Sequence, residues 1–183
     1  METNINKRQR FIKKMFILMG LPRSGKTTLR NMILNEFYHI VPVSADDLRY
    51  EIYGQRYWQN GEDDVWAFRK HHLNSLMKNG TTILIDETNT TKKRREPLLK
   101  LCDEYGYTPV YLHVYTLSCE CIRRAKNEND TYIIPTIERQ SEQFELPESV
   151  EIESFEFSSI HTIVSNNYKT LDFNIFRPEF KID

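Results

Sequence analysis

The chain is poor in cysteine, in long apolar runs and in net charge. Its three cysteines, Cys102, Cys119 and Cys121, are odd in number and form no C-x-x-C pair. That excludes a disulfide framework or a cysteine zinc site and predicts reduced thiols in a cytoplasmic protein. No apolar stretch approaches the roughly 20 residues of a membrane span. The first fourteen residues carry Lys7, Arg8, Arg10, Lys13 and Lys14 but no apolar run and no small-residue cleavage site, so no signal peptide is read. A net charge of −1 excludes attraction to polyanions by bulk charge alone. Internal repeats and low-complexity segments are also lacking.

What is present is the length of one domain, 183 residues, enough to bury roughly 70% of the unfolded surface without staples. Residues 1–14 read as a basic arm and 15–183 as one domain. Six glutamates and no lysine or arginine fall between Glu142 and Glu156. That run, like the basic arm, reads as solvated surface.

Short apolar runs alternate with amphipathic stretches. Strands are expected at Met15–Gly20, Ile40–Ser44, Thr81–Asp86, Thr108–Thr116 and His161–Asn166. Helices are expected at Thr27–Phe37, Asp47–Tyr53, Glu62–Lys78, Thr91–Tyr105, Ser118–Lys126 and Pro135–Phe144, with Ser118 as one cap and Asn89 or Thr90 as another. Such alternation predicts an α/β fold: a mainly parallel sheet between two helical layers. Ligands then bind beyond the carboxyl ends of the strands.

The first strand runs into Gly20-Leu21-Pro22-Arg23-Ser24-Gly25-Lys26-Thr27, which fits G-x-x-x-x-G-K-[ST]. The glycines let backbone N–H groups turn inward around an anion, and the next helix adds its N-terminal partial charge. Lys26 can bridge β- and γ-phosphates, and the Thr27 hydroxyl can hold Mg²⁺. Thr28 extends the binding loop. The pattern implies a nucleoside triphosphate such as ATP but not what becomes of it.

Residues after the other strands bear on that. Asp46, at a predicted helix start, can accept the proton of an attacking hydroxyl, and Arg49 can bind an acceptor's phosphate. Capping by Ser44 or Asp46 is the plainer alternative for this turn. Asp86 ends an apolar strand, where a carboxylate can order the water shell of Mg²⁺. Lys92, Lys93, Arg94 and Arg95 crowd a helix start, against the macrodipole, and hint at an anionic partner. Residues 121–135 have the character of a lid, from which Arg123 or Arg124 could offset charge on the triphosphate. Adjacent on a helix, at most one of the two reaches the nucleotide. Trp58 and Trp66 are expected to pack, and no histidine is given a role.

"GLPRSGKTT", "SADDLR", "IDETN" with "RR" further on, and "IRRAKN" before "IP" resemble, in the same order, the 5′-kinase domain of phage-type polynucleotide kinase. The resemblance covers about residues 15–147. It implies a P-loop kinase fold with a helical lid, ATP with Mg²⁺ as donor, and a hydroxyl as acceptor, classically the 5′-OH of DNA or RNA. Residue by residue, it implies that Lys26 and Thr27 serve the triphosphate and metal. Asp46 would be the general base, Arg49 the ligand of the acceptor phosphate, and a basic lid residue such as Arg124 the contact to the donor phosphates. Three positions depart from that family. Ala45 stands where it has an arginine, the stretch "NENDTYIIP" has none before its proline, and Glu138 and Glu142 stand where it offers apolar contacts to the acceptor base. A kinase of a small hydroxyl compound, zeta-toxin-like, is the alternative. No second domain carrying a 3′-phosphatase is expected, and oligomeric state stays open.

Overall fold

The computed structural model describes residues 9–55, 61–156, 158–165 and 167–182. Trp58 lies outside the described residues, as do Lys7, Arg8 and Asn166. The elements in chain order are β1 (Gln9–Phe11), β2 (Lys14–Met19), α1 (Lys26–Glu36), β3 (Ile40–Val43), α2 (Ala45–Tyr53) and α3 (Glu62–Lys78). There follow β4 (Thr82–Ile85), α4 (Lys92–Tyr105), β5 (Thr108–Tyr115), α5 (Ser118–Asn127), α6 (Ile134–Glu142), α7 (Ser149–Glu153), β6 (Ser159–Val164) and β7 (Phe180–Ile182). Short 3-10 turns lie at Thr131–Ile133, Tyr168–Thr170 and Phe173–Phe176.

Five strands pair in the order β3-β4-β2-β5-β6, every pair parallel. The expected parallel sheet between helical layers is the observed one. Its period of two divides β2 cleanly: Phe16 and Leu18 face α1, while Met15, Ile17 and Met19 face α3 and α4. On the α1 side lie Leu29, Ile33, Phe37 and Phe176; on the other, Leu73, Met77, Leu98 and Cys102. β2 is fully buried along its length, so its apolar run cannot alternate with polar residues, as parallel sheets require. The sheet thereby holds the segments after β2, β3 and β4 side by side at one edge.

The structure adds what local pattern did not give. β1 and β7 form an antiparallel pair that joins the two ends of the described chain, so the basic arm includes a strand, and Lys14 opens β2 as a buried residue. Ser118 is the first residue of α5 and makes no cap bond; Leu117 precedes the helix. The cap of α4 is Thr91, whose hydroxyl accepts from the Arg94 amide at 3.4 Å. Asn89 instead turns inward, and its amide donates to the Leu18 carbonyl at 2.8 Å. Trp66 is 41% exposed, donates to Glu62 and lies under the Arg69 guanidinium, rather than packing in the core.

The basic start of α4 has its anionic partner within the chain. Lys92 pairs with Glu148, its amide donates to the Glu145 carboxylate, and Arg95 forms a two-pronged pair with Glu151. The acidic run after α6 thus packs against α4 through the buried Glu151, while its other five glutamates stay exposed as expected.

His113 on β5 is buried between Tyr115 and Phe144, with Nδ1 3.4 Å from the Thr162 hydroxyl. Burial pushes it down to about 4. The unfolded chain takes up its proton near pH 6.5, before the native state does. Stability therefore falls as pH drops from about 6.5 to about 4, by about 3 kcal/mol from this group. Denaturant titrations at pH 7 and pH 4.5 should show a smaller loss for His113→Asn than for the parent chain.

Candidate active site

The loop between β2 and α1 is built from backbone that only certain residues tolerate. Gly20 has φ +148°, and a Cβ there would sit 2.7 Å from both the Val114 carbonyl and the Ser24 hydroxyl. Gly25 has φ +105°, and a Cβ would collide with the Tyr168 hydroxyl, which donates to the Gly25 carbonyl. Both positions need glycine. Arg23 takes the left-handed region without being glycine, at φ 65°. The loop is tied down from several sides. The Gly20 amide donates to Thr88 O at 3.0 Å, Thr116 Oγ1 donates to Ser24 O, and Arg124 Nη1 donates to Arg23 O at 3.1 Å.

Lys26 opens α1, almost wholly buried, and its Nζ donates to Gly20 O at 3.0 Å and Leu21 O at 2.7 Å. Burial lowers it to about 8, held up in part by the nearby Asp86 and Asp46 carboxylates. Thr27 and Thr28 are exposed beside it. A cavity of about 340 Å³ lined by Arg23, Gly25, Lys26, Thr27, Thr28, Arg124 and Glu128 opens over the start of α1. Arg124 sits in its wall, paired with Glu120 and bonded to the Ser165 hydroxyl. Arg123 is not brought there; it is 60% exposed and paired with Glu120. Residues 121–127 belong to α5, and Cys121 and Ala125 are buried against Leu21 and Ile137.

A second, smaller cavity of about 140 Å³ adjoins Lys26 and Thr27 on the β3 side. Asp46, Asp47, Asp86, Glu87, Ser44 and Thr88 line it, with Arg30. Ser44 caps α2, accepting from the Asp47 amide at 3.3 Å. The two aspartates fall in the first turn of α2, where the helix dipole favours a carboxylate. The Asp46 side chain is 69% exposed and accepts from Arg49 Nη1 at 2.5 Å. Arg49 does not line this cavity. Its other nitrogens go to the Glu62 carboxylate at 2.6 and 2.9 Å.

Arg30, one turn beyond Thr27, is the residue the sequence reading missed. It joins Asp47 on α2 to Asp86 at the end of β4, the latter at 3.2 Å. Its position on α1 carries no motif, and only the closure of the sheet edge puts it between those carboxylates. Burial raises the Asp86 carboxyl, opposed by Arg30 and Lys26, and burial likewise raises Glu87, opposed by Arg69. Asp86 and the Thr27 hydroxyl are hard oxygen donors on one cavity. Among the described residues no group of three His, Cys, Asp or Glu could cage a metal. Two protein oxygens with room for water and phosphate oxygens fit Mg²⁺.

Fold and site define this chain as a P-loop kinase-like α/β protein. It belongs to the AAA domain family that matches residues 15–147. The chain is similar to a structure described as the Pnkp1/Rnl/Hen1 complex, at 25% identity and a TM-score of 0.57, over 65% of this chain and 40% of that one. It shares its fold with the Mycobacterium tuberculosis APS kinase CysC, solved with AMPPNP and APS, at 14% identity and a TM-score of 0.56, over 82% and 88% of the two chains. A Pongo abelii 2′,3′-cyclic-nucleotide 3′-phosphodiesterase is 31% identical over 112 residues, 57% of this chain. The match spans 24% of that relative's length. Among the described residues no helix is long and apolar enough to cross a membrane.

Proposed function

We propose that this protein is an ATP- and Mg²⁺-dependent kinase that passes the γ-phosphate to a hydroxyl, the 5′-OH of a polynucleotide. One observation carries the reading: Lys26 and Thr27 line both cavities' shared wall, with Asp46 across the smaller one. A donor pocket and an acceptor pocket meeting at the phosphate loop suit transfer. Similarity to the Pnkp1 complex and the motif order supports a nucleic-acid acceptor.

In this reading Lys26 and the loop amides hold the triphosphate. Thr27 and Asp86 would hold Mg²⁺, which when bound offsets charge on the β- and γ-phosphates. Asp46 accepts the hydroxyl proton, and its exposure leaves room for an incoming acceptor. Arg124 offsets donor charge from α5. Arg49 reaches an acceptor phosphate by exchanging a carboxylate partner.

A second reading, a small hydroxyl compound as acceptor, is favoured by the charge of the smaller cavity. Four carboxylates line it against two cations, Lys26 and Arg30, while Arg49 and Arg69 pair with Asp46 and Glu87 from outside the lining. A lining richer in acids than in bases suits an uncharged polyol better than a phosphate. Labelled ATP offered with 5′-OH DNA, 5′-OH RNA and a panel of nucleosides and sugars separates the two. End-labelled oligonucleotide is the expected product. Label found only on a small compound would replace the polynucleotide reading with the second.

A further inference from the structure

Arg23 is held by two carboxylates of unequal standing. Its Nη1 donates to the Glu128 carboxylate and its Nη2 to the Asp130 carboxylate. Both acids come from the turn that ends α5. There the Glu128 amide donates to Arg124 O, the Asp130 amide to Ala125 O at 2.8 Å, and Asn129 between them is left-handed at φ 57°. That reversal turns both carboxylates toward the phosphate loop. Glu128 is 57% exposed and lines the 340 Å³ cavity beside Lys26 and Thr27; Asp130 is 13% exposed and does not line it. Nη1 is therefore the face of Arg23 turned to the cavity, and Nη2 the face turned to the protein.

We propose that Arg23 Nη1 is a phosphate-binding group that Glu128 reserves, with Asp130 as its fixed anchor. The proposal rests on the reading that this cavity takes ATP. A triphosphate entering the cavity displaces Glu128, which turns out into water at little cost because it is already half exposed. Asp130 cannot leave so cheaply, since a carboxylate this shielded from water needs its partner. It stays on Nη2 and keeps the guanidinium aimed. The Arg124 bonds to the carbonyls of Arg23 and Ser24 fix the backbone from which the side chain starts. Every nucleotide thus competes with a built-in carboxylate, which weakens ATP and ADP alike and speeds product release.

The two acids should act in opposite directions. Equilibrium titration of the full chain with ATP and with ADP, without acceptor, reads this directly. Glu128→Gln should tighten both nucleotides about fivefold, and Asp130→Asn should weaken both by about the same factor. In an Arg23→Gln background Glu128→Gln should have no effect, because its action runs through the guanidinium. Thermal melts of each variant check folding, and the exposed Glu128 position keeps the main arm available should Asp130→Asn fail to fold. Unchanged or weaker binding by Glu128→Gln overturns the inference, as does tightening that persists without Arg23. A parent chain that binds no nucleotide overturns the reading of the cavity itself, and the inference with it.

Discussion

Asp46→Asn should lower the turnover of phosphoryl transfer by about 100-fold or more while ATP affinity stays within about twofold. The reason is the division of the site. Asp46 lines the smaller cavity and is absent from the lining of the larger one, where the triphosphate is expected. Removing its charge takes away the acceptor for the hydroxyl proton and leaves Lys26, Thr27 and Arg124 in place. Asparagine keeps the volume and the bond from Arg49. With the side chain 69% exposed, the fold should lose only the favourable dipole contact and the charge of the exposed pair with Arg49, about 0.5–1 kcal/mol together. Single-turnover kinetics beside equilibrium ATP binding separate the two effects. Equal loss of both would place Asp46 in nucleotide binding, and no loss of turnover would remove it from the chemistry.

Arg95→Ala should destabilise the chain by about 3–5 kcal/mol. Arg95 is fully buried and Glu151 is 4% exposed. The guanidinium meets the carboxylate at 2.9 and 3.0 Å and also donates to Asn89 O at 3.2 Å and Glu145 O at 2.8 Å. Truncation leaves a charged carboxylate and two carbonyls without their donor, in a place water does not reach. For a domain of this size the melting temperature should fall by about 10 °C or more, at roughly 2–4 °C per kcal/mol. Replacing both partners with apolar residues, Arg95→Met with Glu151→Leu, should recover much of that, because the cost lies in the orphaned charge rather than the lost pair. A drop of only about 2 °C for the single variant would show the site to be wetter than its burial implies.

That pair also marks where sequence reading stopped. The parallel sheet, the phosphate loop and Asp46 and Asp86 after strands were all legible, because each rests on local pattern: apolar runs alternating with helical stretches, a glycine spacing, a polar residue after an apolar run. The basic start of α4 was legible as a feature, and its partner was not. Glu148 and Glu151 lie more than fifty positions along the chain, and nothing in either run says that they meet. Arg30 was hidden for the same reason, as an arginine at a helical position without a motif. β1 and β7 are three residues each, too short for periodicity, and they exist only as a pair. Arg23 was legible as part of the loop; its two carboxylates read only as polar residues of a lid.

Transfer itself is the measurement that bears most directly on this chain. Purified protein incubated with γ-labelled ATP, Mg²⁺ and a 5′-OH oligonucleotide should place label on the 5′ end, with Asp46→Asn losing nearly all of it. Label released only as inorganic phosphate, at the same rate in parent and Asp46→Asn chains and with every acceptor offered, would contradict a kinase.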